Sequence, residues 1–279
     1  MSTLTATTSS TNPTLGSSDA GKIYFETDTN KILVWDGSNY MKYETDSAIG
    51  GAFNNEYAVE FDGANDYFQS SSSQSYTLGT LSLWFKPDST ISSSSSAQAL
   101  VGFNSDYNSI ILGGVTGTLT NEIITVMTPS INHAYTGGGT ISNTEWHHLA
   151  VTWDSSATEY KIYLDTVQVK NAQSSGTASQ ATIDDIMIGY RDQFGGYFDG
   201  KIDEVAIFSQ SMNATQIQTL YNSGVPSDLD SLTPTSWWRM DSGSSVTDLN
   251  TTTGNNLSVG GGSPSLHDLS TGPDSIYVA

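Results

Sequence analysis

Carboxylates stand side by side at Asp184-Asp185 and Asp203-Glu204, and histidines at His147-His148. One loop, residues 190–199, collects Tyr190, Arg191, Asp192, Phe194, Tyr197 and Asp199. Glycoside hydrolysis needs two carboxyls flanking the scissile bond, about 5–9.5 Å apart. Neighbours on a strand point to opposite faces, so neither adjacent pair has the spacing for that reaction. The same alternation parts His147 from His148, one into the core and one outward, and argues against a metal held by both. Residues 144–153 hold no serine–histidine–aspartate arrangement. The loop reads differently. Its aromatic rings can stack on the apolar faces of sugars while Arg191 and Asp192 bond hydroxyls, and Tyr107 has the same capacity elsewhere. The competing reading folds the loop over its own aromatics. Trp84, Trp146, Trp153 and Tyr163 lie inside strand patterns and read as core. Finally, Asp62-Gly63-Ala64-Asn65-Asp66 gathers side-chain and backbone oxygens in one tight turn. Calcium takes about six to eight such oxygens. Alternatively, Asp62 and Asp66 only cap the turn by accepting backbone N–H groups.

The elements that must position these residues are strands. Of the 279 residues, 36% are hydrophobic and 14% charged, and there are 26 glycines. Many short strands joined by polar turns fit that composition; helices, which draw on Ala, Leu, Glu, Lys and Arg, do not. Residues 1–19 read as an extended arm or a disordered end. Residues 20–45 read as a small β-hairpin module: apolar runs at 23–25 and 32–35 flank a polar turn, and a third strand follows at 40–43. Residues 46–56 read as a linker. From 57 to 225 the strands follow at the spacing of a sandwich, the clearest being 80–85, 146–153, 160–164 and 201–208. One helix is predicted over 213–222, capped by Asn213, with Ile217, Leu220 and Tyr221 on one face and Gly224 and Pro226 as stop signals. Residues 226–279 read as a C-terminal extension that packs on the sandwich or on a neighbouring chain.

Charge narrows the functions. Nine Lys and Arg stand against 29 Asp and Glu, a formal net charge of −20. A nucleic-acid binder needs a basic footprint, and an anionic membrane repels such a chain. Without cysteine there are no disulfides, thiolate metal sites or cysteine nucleophiles. No apolar run is long enough to span a bilayer, and residues 1–13 lack the regions of a signal peptide. A surface-type composition without a visible export route fits a virion protein, made in a cytoplasm and exposed by lysis. Release by another secretion system, or loss of a signal, fits as well.

Several motifs carry a family likeness. Phe61-Asp62-Gly63-Ala64-Asn65-Asp66-Tyr67, Leu81-Ser82-Leu83-Trp84-Phe85-Lys86-Pro87 and Glu145-Trp146-His147-His148-Leu149-Ala150-Val151-Thr152-Trp153 come first. Lys161-Ile162-Tyr163-Leu164-Asp165 and Phe198-Asp199-Gly200-Lys201-Ile202-Asp203-Glu204-Val205-Ala206-Ile207-Phe208 follow. In this order they resemble the laminin-G-like jelly rolls of the concanavalin-A-like lectin/glucanase superfamily, of the kind found in marine bacteriophage structural proteins. The resemblance implies an all-β, two-sheet antiparallel jelly-roll sandwich behind the N-terminal hairpin module. Hydrolases of that fold commonly carry Glu-x-Asp-x-x-Glu on one strand, and no such string occurs here. The implied role is therefore a non-enzymatic virion surface protein (capsid decoration, head fibre or tail fibre) that binds a cell-surface glycan. The alternatives are a secreted bacterial carbohydrate-binding or adhesion module and a glycoside hydrolase. The implied partners are other virion proteins, met through the arm and hairpin, and further copies of the chain, a trimer by likeness to fibres. The resemblance also implies one structural calcium ion on Asp62 and Asp66, with Asp203 of the closing motif as third ligand. A Trp-Arg-Met-Asp motif usually precedes such a module; here residues 238–241 follow it.

Overall fold

Runs of β-branched and aromatic residues between glycine, serine and asparagine turns become strands throughout. The computed structural model describes residues 5–7, 17–19, 22–26, 31–35, 38, 40–44, 55, 57–70, 76–77, 79–92, 95–103, 108–113, 123–128, 131–135, 140–154, 157, 159–173, 182–183, 185–191, 196–249 and 255–269. The chain divides into two units, Met1–Asn54 and Asn55–Ala279.

In the first unit β1 (Thr5–Thr7), β2 (Ile23–Glu26), β3 (Lys31–Trp35) and β4 (Tyr40–Glu44) form one sheet in chain order. Strands β2 to β4 are the antiparallel set expected from the apolar runs. Strand β1 runs parallel to β2, with Thr5 opposite Tyr24. Part of the stretch read as an arm is thus a strand, since the edge of β2 offers unpaired backbone groups.

The second unit contains, in chain order, β5 (Tyr57–Asp62), β6 (Tyr67–Ser70), β7 (Tyr76–Thr77), β8 (Thr80–Pro87), β9 (Gln98–Phe103) and β10 (Asn108–Leu112). Next come β11 (Ile124–Thr128), β12 (Ile131–Tyr135), β13 (His147–Asp154), β14 (Glu159–Leu164), β15 (Val167–Gln173), β16 (Thr182–Ile183), β17 (Ile186–Ile188) and β18 (Asp199–Phe208). Helix α1 (Ala214–Tyr221) precedes β19 (Ser236–Trp238), β20 (Ser245–Val246), β21 (Leu257–Gly261) and β22 (Ser265–Asp268). Two antiparallel sheets result. Sheet I has the order β12-β11-β10-β9-β17-β6-β21-β20, and sheet II the order β15-β14-β13-β8-β18-β5-β22 with β19 beside β18. The architecture is the all-β jelly-roll sandwich. Its core interleaves Phe68, Leu100, Val101, Ile110, Ile186 and Ile188 of sheet I with Phe61, Leu81, Leu83, Phe85, Leu149 and Val151 of sheet II.

The segment after residue 225 is more than an appendage. Strand β19 pairs with β18, β21 with β6 and β22 with β5. Trp238, Met240, Val246 and Leu257 join the common core. Strands β19 to β22 therefore complete both sheets of the sandwich within their own chain.

Strand β8 alternates apolar and polar residues, which predicts one dry face and one wet face. All eight of its residues are nonetheless buried, because α1 and the segment that leads into it lie over the second face. Tyr221 of α1 stacks on Trp84 at 5.5 Å, and Thr80 Oγ1 donates to the Gln210 carbonyl at 2.8 Å. Helix α1 starts as expected. Asn213 Oδ1 accepts from the amides of Thr215 and Gln216, and Gln216 Oε1 accepts from the Asn213 amide, a reciprocal cap that satisfies three otherwise orphan donors. Among the described residues no helix is long and apolar enough to cross a membrane.

Candidate functional site

Strand parity builds the site on the outer face of sheet I. On β6 Phe68 points into the core, so Tyr67 and Gln69 point out; on β17 Ile186 and Ile188 are buried and Met187, opposite Gln69, is outward. Tyr190 and Tyr197 close over this surface from the two ends of the loop. Backbone pairing sets the neck: the Gly189 amide donates to the Leu100 carbonyl and the Phe198 amide to the Gly189 carbonyl, both at 2.9 Å. The rings of Tyr190 and Tyr197 stack with centroids 4.4 Å apart and planes at 15°, and Tyr67 lies 4.8 Å from Tyr190. Together with Gln69, Ser70, Asp185 and Met187 they line a pocket of about 290 Å³. All three tyrosines are part-exposed.

Two glycine seats make this possible. A Cβ on Gly260 would stand 2.1 Å from the Tyr67 ring, and one on Gly102 would stand 2.7 Å from the Tyr190 carbonyl oxygen. Tyr67 lies across bare β21 backbone, and the loop neck rests on bare β9 backbone, close approaches that a side chain would prevent.

A second cavity, of about 510 Å³, opens beside the first. Glu60, Asp62, Asp66, Asp88 and Asp199 line it with Phe61, Asn65, Gly262, Ser263 and Ser265. The two linings meet at one step of the chain, with Asp66 in this hollow and Tyr67 in the first. Here the opening turn caps itself. Asp62 Oδ1 accepts from the amides of Ala64, Asn65 and Asp66 at 2.8, 3.1 and 3.3 Å, and these donors hold its acid below the usual carboxylate range. Asp66 accepts from the amides of Asp62 and Ser263. Asp199, opposite Asp62 in register, has its acid raised by burial and by the charges of Asp88 and Asp62. Lys201 is buried and bridges Asp88 at 2.9 Å and Glu60 at 3.4 Å.

The expected calcium ligands do not converge. Asp203 lies opposite Trp84 on the covered face of sheet II, accepting from Asn55 Nδ2 and from the Glu204 amide. Strand geometry places Asp199, and not Asp203, against the opening turn. Among the described residues no group of three or more His, Asp or Glu is arranged to hold a metal ion. The turn oxygens are engaged by backbone amides, so this donor set does not fit the ion as expected.

The expectation for the adjacent pair Asp203-Glu204 also changes. Glu204 has φ +49°, and the register between β18 and β8 slips there. This bulge breaks the alternation that sends neighbours to opposite faces. Both carboxyls are buried, and Glu204 is engaged by the C-terminal segment: Trp237 Nε1 donates to Glu204 Oε2 at 2.5 Å, and Arg239 Nε donates to Glu204 Oε1 at 3.4 Å. Burial raises both acids well above the ordinary range, and the charge of Asp203 raises Glu204 further. His148 is likewise sealed, with Nε2 2.8 Å from Ser82 Oγ, and burial pushes it down to about 4. His147 instead meets Asp165 at 2.8 Å.

Of the residues named from the sequence, Tyr190 and Tyr197 come together. Arg191 does not serve as expected: it is 1% exposed, with its backbone laid over Gly102, too deep to bond a ligand hydroxyl at the surface. Tyr107, Asp192 and Phe194 lie outside the described residues. Tyr67, Gln69 and Asp185 are additions. Tyr67 was legible as an aromatic at the outward parity of a strand whose next residue, Phe68, points in.

A laminin-G-like family model, described as Concanavalin A-like lectin/glucanases superfamily, matches residues 61–218. No curated protein matches the chain. Among solved structures, a candidate carbohydrate-binding protein from Bacteroides ovatus is similar, with TM-score 0.60 and 16% identity over 90% of this chain and 70% of that one. The carbohydrate-binding module of a Ruminococcus gnavus sialidase, bound to sialyllactose, gives 0.42 and 12% over 58% and 95%. Domain 4 of an extracellular arabinanase from Geobacillus stearothermophilus, bound to arabinotriose, gives 0.41 and 21% over 53% and 68%. At these identities the likeness is one of fold.

Proposed function

Since the chain belongs to the concanavalin A-like lectin/glucanases superfamily, we propose that it is a non-catalytic carbohydrate-binding protein that works outside the cell. The observation that carries this reading is the tyrosine trio over a small pocket with amide, hydroxyl and carboxylate groups at its edge. Stacked tyrosines are rigid platforms that lose little entropy on binding, and the polar groups beside them are of the types that bond sugar hydroxyls. A hydrolytic reading finds less support. The carboxyl pair Asp203 and Glu204 is at most 3% exposed, closed to the substrate and water that hydrolysis needs.

The fold neighbour described as carbohydrate-binding favours a secreted module over a virion protein. Display on a virion would use the same pocket, with the N-terminal unit as the anchor and a trimer as the assembly; detection of the chain in purified particles tests that version. The carbohydrate reading is tested on a glycan array, followed by calorimetry with the best ligand. Wild type binds, and Tyr197→Ala loses at least about tenfold in affinity, the size of one lost ring contact, with an unchanged circular dichroism spectrum. Failure of wild type to bind any glycan overturns the reading.

A further inference from the structure

Charge around the tyrosine pocket goes one step further, resting on the carbohydrate reading. Among the described lining residues, the pocket's one formal charge is the carboxylate of Asp185. One step along the chain from Tyr67, at Asp66, the second hollow begins and adds five carboxylates, among them Asp62, Glu60 and Asp88, whose side chains are exposed or part-exposed. The cations of this region lie underneath. Lys201 is spent on Asp88 and Glu60, Lys86 is its buried neighbour in register, and Arg191 is buried beneath the loop neck. The arrangement turns negative charge outward and keeps positive charge inward, on a chain whose net charge is −20. Concave walls of low dielectric focus such a field, and Asp66, consecutive with Tyr67, brings the rim of the second hollow within a Debye length of the first, about 10 Å at 0.1 M salt.

We propose that the tyrosine pocket takes glycans without acidic groups and rejects sialylated, sulfated and uronic acid-containing ones. Rejection by like charge is a selective device distinct from the stacking that supplies affinity. A free amine on the sugar gains from the same field and from the tyrosine faces.

The test uses the full chain and paired probes: lactose with sialyllactose, glucose oligomers with glucuronate oligomers, and N-acetylglucosamine trimers with glucosamine trimers. Each pair is measured at about 20 mM and about 500 mM NaCl, which shortens the screening length several-fold. At low salt the acidic member of a pair binds at least about tenfold more weakly than its neutral partner, a gap of the size the surface potential supplies. The gap narrows at high salt, and in Asp185→Asn the acidic member gains affinity relative to its neutral partner. An acidic probe that matches its neutral partner at low salt overturns the charge selection and leaves carbohydrate binding standing. Binding of no probe overturns both.

Discussion

Asp62 and Glu204 are carboxylates of the two strands β5 and β18, which pair with one another, yet they live in opposite worlds. Asp62 is exposed, and one of its oxygens collects three backbone amides of its own turn. Glu204 is buried against Trp237, beside a second carboxyl and with one partly exposed guanidinium for both. The first acid is pushed down and the second up. Residue type does not settle this. What matters is how many donors reach the oxygens and whether water does. The turn uses charge to order a local loop and leaves Asp62 open to water. The sealed pair uses polar contacts to fasten the C-terminal strands, at the cost of burying acids.

The largest expected effect comes from unsealing the pair. Trp237→Ala removes a buried indole and leaves Glu204 Oε2 without its indole donor, for a loss of about 4 kcal/mol in chemical denaturation. Trp237→Phe keeps most of the packing and costs about 1–3 kcal/mol. Equal losses for the two variants would show that the indole N–H carries the whole contribution and its packing none; a Trp237→Phe variant as stable as wild type would show that packing alone holds β19.

Next in size is the pH response. His148 is neutral when folded, with its acid at about 4 against 6.5 when unfolded. The unfolded chain therefore binds more protons in that window, and about 3 kcal/mol of stability is lost as pH falls from 6.5 through 4. Asp203 and Glu204 act in the opposite sense. Their folded acids are raised, so the folded chain holds protons that the unfolded one has released. Their contribution is greatest at low pH and falls as pH rises above the ordinary carboxylate range. Urea titrations across pH should show His148→Gln flattening the acid limb and Glu204→Gln flattening the other. A single limb that responds to neither variant would place the linkage elsewhere.

The turn is a smaller matter. Asp62→Ala loses the three amide contacts and costs about 1–2 kcal/mol, as a lost cap does. A turn held by its own hydrogen bonds melts at the same temperature in chelator and in millimolar calcium. A calcium-dependent rise that Asp62→Ala abolishes would instead put an ion in the carboxylate hollow.

The smallest stability effect has a functional readout. Gly260→Ala pushes Tyr67 off its seat, with a shift in melting temperature of a few degrees at most and about a tenfold weaker glycan affinity. Retained affinity would remove Tyr67 from the binding surface and leave Tyr190 and Tyr197 to act alone.

Local pattern by itself determined a good deal: the all-β class, the strands around 80–87, 147–154 and 199–208, the Asn213 cap, and the tyrosines at both ends of the 190–199 loop. These are legible because strand parity, turn residues and caps act between near neighbours in the chain. The tertiary structure decided the rest. Polar-looking strands such as β21 and β22, rich in Ser and Gly, have weak intrinsic signals and exist through their partners β6 and β5. Alternation read Asp203 and Glu204 as facing apart, and a left-handed residue at a bulge overrode it. Arg191 looked like a loop cation and is buried, because where a loop residue lies depends on the strand beneath it, here one with glycine at position 102. Tyr67 became part of a site only when residues more than a hundred positions away folded onto it. Contacts across such distances are set by sheet order and register, which no local window contains.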